Sequence, residues 1–189
     1  QMVAGDLHGL NTLKHQQAKL AAIEAIWHTE KPAALTLFAY PDAESRSNLY
    51  SVAIPKLGSL VLTHSWEGEI KGVNEFADHP PGAPVFYAFR LMVGVGVLML
   101  LLSWYGWYRY RQSGWRPERL PTWLLKAFAA STFLGWVATL AGWYVTEIGR
   151  QPFLVYGYLR TADSVTQVVP TGQVGLTLAG YVVIYTVLL

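Results

Sequence analysis

The sequence predicts an all-α integral membrane protein in which three transmembrane helices follow an extramembrane segment. Hydrophobic residues make up 52% of the 189 residues and charged residues only 14%, whereas about 25% of the residues in an ordinary soluble domain are charged. The acidic residues are also unevenly distributed, because nine lie in residues 1–84 and three in residues 85–189. This distribution indicates that the second part of the chain contacts a lipid bilayer.

Three apolar stretches are long enough to cross the hydrocarbon core, which requires about 20 helical residues. We predict transmembrane helices at about residues 85–108, 122–148 and 172–189. The third is at the short limit and is still apolar at its end, so we expect the chain to be a fragment of a larger helical bundle. Aromatic residues crowd the ends of the first two helices, as is typical at the level of the lipid headgroups.

The connection between the first two predicted helices indicates their orientation. Residues 109–121 carry four arginine residues, and short, positively charged loops favour the cytoplasmic side. We therefore expect this loop in the cytoplasm and residues 1–84 outside. The sequence has no basic stripe, so we expect no nucleic-acid partner. The absence of cysteine excludes disulfides and thiolate metal sites.

The segment before the first transmembrane helix contains signals for local structure. Apolar residues at helical spacing predict an amphipathic helix over residues 12–28. The runs LTLFA (35–39) and LYSVAI (49–54) predict two short strands. The proline-rich residues 78–84 (DHPPGAP) predict a stiff entry into the first transmembrane helix.

Ionisable residues at the ends of the first two membrane helices are candidates for function. Arg90 follows the start of the first helix, and Glu147 and Arg150 lie near the end of the second. A charge in the middle of a bilayer costs about 2.5–3.5 kcal/mol, so such residues usually face a protein interior. Because the two helices are expected to run antiparallel, we predict that these three residues and Met92 lie together at the outer end.

A structural interpretation of these residues is also open. Arg90 would then reach the headgroups with its side chain, Glu147 and Arg150 would form an ordinary i,i+3 pair, and Met92 would fill the core. Two further alternatives are an ion transporter or channel lined by Arg90, Glu147 and Arg150, and a membrane-anchored domain without chemistry. Against a transporter, the second helix lacks a Gly/Pro break pattern and the chain shows no repeat.

The positions of the histidine residues limit which side chains could bind a cofactor within the membrane. All five histidine residues lie in residues 1–84, so a cofactor held by this chain in the membrane would depend on Met92 and Glu147.

Lys19 and Glu24 are five residues apart, which is about 140° around a helix. They do not form a standard helical pair, and their spacing alone favours two solvated side chains. The functional alternative is a cation and a proton acceptor beside a ligand at the membrane surface.

Four strings resemble a known family. These are GDLHGLN (5–11), QQAKLAAIEAIW (16–27), FYAFRLMVG (86–94) and GWYVTEIGRQP (142–152). In this order they resemble subunit I of the cytochrome bd-type quinol oxidases, of the type with a short quinol-binding loop. The resemblance covers essentially the whole chain but only the C-terminal half of the family's subunit, and Phe153 replaces the tryptophan that follows GRQP in the family.

The resemblance implies a role for each candidate residue. Residues 1–84 resemble the quinol-binding loop on the outer (periplasmic) face of the bacterial inner membrane, and Lys19 and Glu24 match positions for quinol binding and oxidation. Met92 matches an axial ligand of the low-spin b haem, and Glu147 a ligand of the high-spin b haem. Arg90 matches a position beside the haem propionates, and Arg150 matches an arginine of the haem environment near Glu147.

The resemblance also implies an activity and partners. We expect a terminal respiratory oxidase that oxidises quinol at the outer membrane face, passes electrons through two b haems to haem d and reduces dioxygen to water. The expected partners are the N-terminal half of the same subunit, with its histidine ligands, a subunit II and a candidate small subunit. The fragment alone is expected to be inactive.

Overall fold

The computed structural model describes residues 2–165 and 168–188. Gln1 and Leu189, which end two of the predicted ranges, lie outside the described residues. The chain divides into two compact units, Gln1–Pro152 and Phe153–Leu189, and each is described separately.

The first unit begins with two consecutive helices, α1 (Met2–His15) and α2 (Gln17–Glu24). The prediction of a single amphipathic helix over residues 12–28 is wrong in two respects. Gln16 has non-helical backbone angles (φ −139°, ψ 59°) and separates the helices, and Ala25 ends α2 in the left-handed conformation at φ 52°. All residues from 18 to 24 are buried, because the alanines of KLAAIE are small enough for α2 to be enclosed by neighbouring elements.

The two predicted strands are confirmed and extend further than expected. Strand β1 (Leu35–Asp42) pairs antiparallel with β2 (Ser47–Ile54) from Leu35↔Ile54 to Asp42↔Ser47. Asn48 attaches this β1–β2 hairpin to the end of α2, because its side chain donates to the Ala25 carbonyl at 2.7 Å and accepts from Trp27 Nε1 at 2.9 Å. Helix α3 (Leu57–Thr63) and a 3₁₀ turn (Val73–Glu75) follow.

A pair of antiparallel membrane helices completes the first unit. Helix α4 (Gly82–Gln112) runs beside α5 (Thr122–Ser131) and α6 (Leu134–Ile148). Contacts at three levels establish the direction. Val85 packs with Val145, Met92 lies against Gly142, and Gly106 lies against Phe128, so residue numbers rise along α4 as they fall along the second span.

The second predicted span is interrupted at residues 132–133, where α5 ends and α6 begins. The sequence argument that this span has no break pattern therefore missed a break that requires neither glycine nor proline. The interruption is short, and Thr132 retains helical backbone angles, so the segment Thr122–Ile148 still has the length and hydropathy of one membrane span.

The second unit contains a small two-stranded sheet and a long apolar helix. Strands β3 (Phe153–Val155) and β4 (Leu159–Arg160) pair antiparallel, and α7 (Thr171–Leu188) follows. Among the described residues, three helical segments have the length and composition to cross a membrane: Gly82–Gln112, Thr122–Ile148 and Thr171–Leu188. The predicted helical membrane fold is thereby confirmed.

Candidate functional site

The side chain of Arg90 connects α4 to the segment that precedes it. Its guanidinium donates to Glu24 Oε2 from Nη2 at 2.7 Å, to the Ile23 carbonyl from Nη1 at 3.1 Å and to the Thr36 carbonyl from Nε at 2.9 Å. The guanidinium carbon also lies 4.5 Å from the centre of the Phe86 ring, a favourable cation–π distance. Arg90 therefore does extend from the membrane helix toward its end, but it reaches protein groups rather than headgroups.

Glu24 is the most buried charged side chain of this region. It is 2% exposed, and Arg90 is its ion-pair partner. Burial raises the pKa of the Glu24 carboxyl above its usual value, while the Arg90 charge and hydrogen bond act in the opposite direction. A carboxyl with a raised pKa binds a proton more readily near neutral pH than an exposed one, which is the property required of a general base.

Lys19 lies on a different side of α2 and faces the end of α6. It is 8% exposed, and a Cβ built at Gly149 would approach Lys19 Cγ and Cε to 3.1 Å. The lysine stem therefore lies directly over the backbone that follows α6. Burial and the nearby Arg150 cation lower the pKa of Lys19, and the Glu147 carboxylate partly offsets them.

Glu147 and Arg150 form the i,i+3 pair that the structural interpretation expected. Arg150 Nη2 donates to Glu147 Oε1 at 3.0 Å, and the Glu147 side chain is 47% exposed. This pair, Lys19, and the Glu24–Arg90 pair together form one group, which we call the interface cluster. The prediction that the charged residues of the first two spans share one end is confirmed for these residues.

The expectation of two solvated side chains at Lys19 and Glu24 is wrong. The angular separation of about 140° on α2 directs Glu24 to α4 and Lys19 to the end of α6. Both are buried because α2 packs on the membrane helix pair, with Ala22 and Ile23 in one core cluster with Val85 and Val145. Hydrophobic contacts of α2 thus hold two ionisable groups at the end of the membrane helix pair where α4 begins and α6 ends.

Met92 lies two residues farther along α4 than Arg90, about 3 Å deeper along the helix axis, and packs against α6. A Cβ at Gly142 would approach Met92 Sδ to 2.8 Å, a separation that a real side chain would not tolerate. Gly142 therefore makes the space for the thioether. This position is compatible both with a core-filling methionine and with a soft, neutral ligand.

The candidate ligands of this chain are single donors. Among the residues that the structure describes, no group of three or more His, Asp or Glu side chains is arranged to hold a metal. Haem iron needs only one or two axial ligands from protein, so single donors such as the Met92 thioether and the Glu147 carboxylate fit this requirement.

Sequence reasoning missed the groups that position the candidate residues. The carbonyls of Ile23 and Thr36 accept hydrogen bonds from Arg90, and Gly142 and Gly149 provide space for Met92 and Lys19. Backbone carbonyls leave no signal in a sequence. The glycine opposite Met92 could have been found by aligning the two predicted spans antiparallel.

Comparisons with known proteins agree with the resemblance. The chain matches, over residues 1–189, the family described as "Cytochrome bd terminal oxidase subunit I". It is 30% identical to "Cytochrome bd ubiquinol oxidase subunit 1" of Bacillus subtilis (strain 168), with 98% of this chain and 42% of that protein covered. It is also 30% identical to "Putative cytochrome bd menaquinol oxidase subunit I" of the same organism, with 93% and 39% covered.

A solved structure is similar throughout the chain. The bd oxidase from Geobacillus thermodenitrificans matches with a TM-score of 0.80 and 28% identity, over 99% of this chain and 42% of the solved one. "Cytochrome bd-II ubiquinol oxidase subunit 1" of Escherichia coli (strain K12) is 26% identical, with 98% of this chain and 48% of that protein covered. The chain thus spans less than half the length of the relatives it matches.

Proposed function

Because this chain belongs to the cytochrome bd terminal oxidase subunit I family, we propose that it forms part of a respiratory oxidase in a bacterial membrane. The proposed reaction oxidises a quinol and reduces dioxygen to water. The observation that carries the proposal is the interface cluster, in which buried Glu24 and Lys19 meet Arg90 and the end of α6. The names of the relatives include both ubiquinol and menaquinol oxidases, so we propose quinol as a class.

Glu24 is the proposed acceptor of a quinol proton. Oxidation of a quinol to a quinone releases two protons and two electrons, so a base must stand beside a hydroxyl group of the bound quinol. The burial of Glu24 raises the pKa of its carboxyl, and the positive charge of Arg90 stabilises the ionised carboxylate that accepts the proton. Lys19, held over Gly149, would donate a hydrogen bond to a quinol oxygen.

The family implies haem cofactors, and the haem types are part of the proposal. Met92 would be an axial ligand of the low-spin b haem, and Glu147 a ligand of the high-spin b haem. Haem d would be held elsewhere in the complex. The bound haems would supply one-electron carriers and the centre that reduces dioxygen, and Met/His ligation raises a haem potential. Arg150 would support the charge balance at Glu147, its partner at 3.0 Å.

The role of Arg90 beside haem propionates stays a prediction. In this structure its donors contact Glu24 and the carbonyls of Ile23 and Thr36. We propose that Arg90 acts mainly as the counter-ion of Glu24. With this assignment, the proposed quinol base Glu24 contacts Arg90, and Arg90 lies on the same helix as the proposed haem ligand Met92.

The topology and partners are proposed on the same basis. Residues 1–84 would lie outside and residues 109–121 in the cytoplasm, as loop charge favours. The partners would be quinol, dioxygen, the lipid bilayer, the N-terminal half of a subunit of the relatives' length, a subunit II and a small subunit. An ion path along Arg90, Glu147 and Arg150 is not favoured, because these side chains are paired at the end of the helices.

Two pairs of variants in the assembled complex test the proposal. Glu24→Gln should suppress quinol-driven oxygen uptake without changing haem content, whereas Glu67→Gln, at an exposed position of the same segment, should leave uptake intact. Unchanged uptake in Glu24→Gln would remove Glu24 from the reaction.

The ligand assignment has its own matched control on the same helix. Met92→Leu should abolish the low-spin b haem signal in the reduced-minus-oxidised spectrum. Met99→Leu makes the same chemical change about two turns deeper in α4 and should preserve that signal. Retention of the signal in Met92→Leu would refute the assignment.

A further inference from the structure

The β1–β2 hairpin exposes an apolar surface that the proposed chemistry does not use. Along the two strands, residues 35–41 (LTLFAYP) and 48–54 (NLYSVAI) contain no charged side chain. Seven of their large apolar and aromatic side chains are between 42% and 87% exposed: Leu37, Phe38, Tyr40, Leu49, Tyr50, Val52 and Ile54. Phe38 is paired with Val52 and Tyr40 with Leu49, so exposed apolar side chains are neighbours across the two strands, and such surface marks a contact with a membrane or a protein.

Two hydrogen bonds fix the height of the hairpin along α4. The Thr36 carbonyl accepts from Arg90, and the Ala39 carbonyl accepts from the Tyr87 hydroxyl at 3.2 Å. Tyr87 is three residues closer to the start of α4 than Arg90, so β1 moves away from the membrane centre as it runs from residue 36 to residue 39. The open end of the hairpin is therefore its deep end.

The position of Arg90 relative to the hydrocarbon core follows from the sequence of α4. Residues 91–108 carry no charge, and the next charged side chain is Arg109. Nineteen residues of α-helix rise about 28 Å, which is close to the hydrocarbon thickness of about 30 Å. Arg90 and Arg109 thus lie at the two boundaries of the core, and Thr36 lies at the same boundary as Arg90.

The polarity of the hairpin changes along its length in the direction expected at a membrane surface. The deep end carries Leu35, Leu37, Val52 and Ile54, and two tyrosines lie farther out. The charged residues Asp42, Glu44 and Arg46 lie at the tip, where Ser45 Oγ donates to Asp42 Oδ2 at 2.6 Å. Tyrosine is enriched at the headgroup level because one end of its ring is apolar and the other polar.

We propose that the β1–β2 hairpin is a lipid-contacting element that lies in the headgroup and upper acyl region of the bilayer, with its charged tip in water. The hairpin is hydrogen-bonded to the membrane span α4 at Tyr87 and Arg90, the level at which we place the boundary of the hydrocarbon core, and this position favours lipid over a protein partner. This contact does not depend on which molecule the complex oxidises. It would hold the segment with Glu24 against the membrane, because the same hairpin is bonded to α2 through Asn48.

Site-directed spin labelling of the assembled complex in lipid nanodiscs tests this inference. The chain has no cysteine of its own, so Val52→Cys and Leu37→Cys would introduce labels at the deep end on either strand. Ala43→Cys, at an exposed position of the tip, is the control. Without quinol, collisions with oxygen report contact with lipid, and collisions with a water-soluble nickel chelate report contact with water.

We expect the oxygen-to-chelate collision ratio to be several-fold higher at positions 52 and 37 than at position 43. High chelate accessibility at both deep positions would place the hairpin in water and overturn the proposal. Shielding from both reagents would show that protein covers the hairpin, and would also overturn it. Two labelled strands keep the test valid if one variant does not assemble.

Discussion

Removal of the Arg90 charge should release α2 from the membrane helices. The Glu24 carboxylate is 2% exposed and the Arg90 side chain 19% exposed, so Arg90→Gln leaves an ionised carboxylate buried without its cation. Loss of one partner of a buried pair costs about 3–5 kcal/mol. The partial exposure of Arg90 favours the lower end of this range, about 3 kcal/mol. Since 1.4 kcal/mol corresponds to a factor of ten, local opening of α2 should become roughly 100-fold more frequent.

Amide hydrogen exchange measures this opening directly, because buried helical amides exchange only when their element opens. In the assembled complex, peptides that cover residues 17–27 should exchange roughly 100-fold faster in Arg90→Gln. Arg111→Gln removes the same charge at the other end of α4 and should leave these peptides unchanged. Arg90→Lys keeps the charge but loses the planar array of donors, so its effect should be intermediate.

The Glu24→Gln substitution distinguishes an electrostatic role of Arg90, as the ion-pair partner of Glu24, from a purely steric one. In a Glu24→Gln background the buried carboxylate that pairs with Arg90 is absent, so Arg90→Gln should cost only its hydrogen bonds to Ile23 and Thr36. The increase in the exchange rate caused by Arg90→Gln should then be clearly smaller than in the protein that retains Glu24. Equal increases in both backgrounds, or no increase in either, would refute the proposed coupling.

Three further predictions follow from the same contacts. Gly142→Ala should displace the Met92 thioether, because the new Cβ would lie 2.8 Å from Sδ, and so perturb the low-spin b haem spectrum. Gly96→Ala, where nothing lies within 4 Å, should not perturb it. Quinol oxidation should fail as pH decreases through the raised pKa of Glu24, since a protonated carboxyl accepts no proton. Arg90→Gln should move this acidic limb of the rate profile to higher pH, and an unmoved limb would exclude Glu24 as its cause. Asn48→Ala should leave its two partners unsatisfied, at about 1–3 kcal/mol each, and accelerate exchange in β2; unchanged exchange would show that the hairpin is held by other contacts.

Burial of Glu24 also has a consequence for stability, and its sign follows from linkage. The folded pKa lies above the reference value of 4.5, so the native state binds more protons than the unfolded state between these two values. The contribution of Glu24 to the free energy of unfolding is therefore present below pH 4.5 and is lost as pH rises through the folded pKa. Arg90 opposes this loss because it stabilises the charged form.

The sequence by itself determined the features that depend on local composition. The lengths of the apolar stretches predicted the membrane segments, since a helix must satisfy its backbone and cross the core in about 20 residues. The runs 35–39 and 49–54 predicted the strands that pair as β1 and β2. The antiparallel order of the first two spans also predicted that Arg90 and Glu147 share one end.

Only the tertiary structure decided how the ionisable groups are partnered. Glu24 and Arg90 are 66 residues apart in sequence, and their contact exists because α2 is buried against α4. Periodicity predicted a solvated face on that helix, but the small alanines of KLAAIE allow it to be enclosed. Burial, which no local pattern specifies, converts Lys19 and Glu24 from surface charges into groups with shifted pKa values at the entrance of the membrane helices.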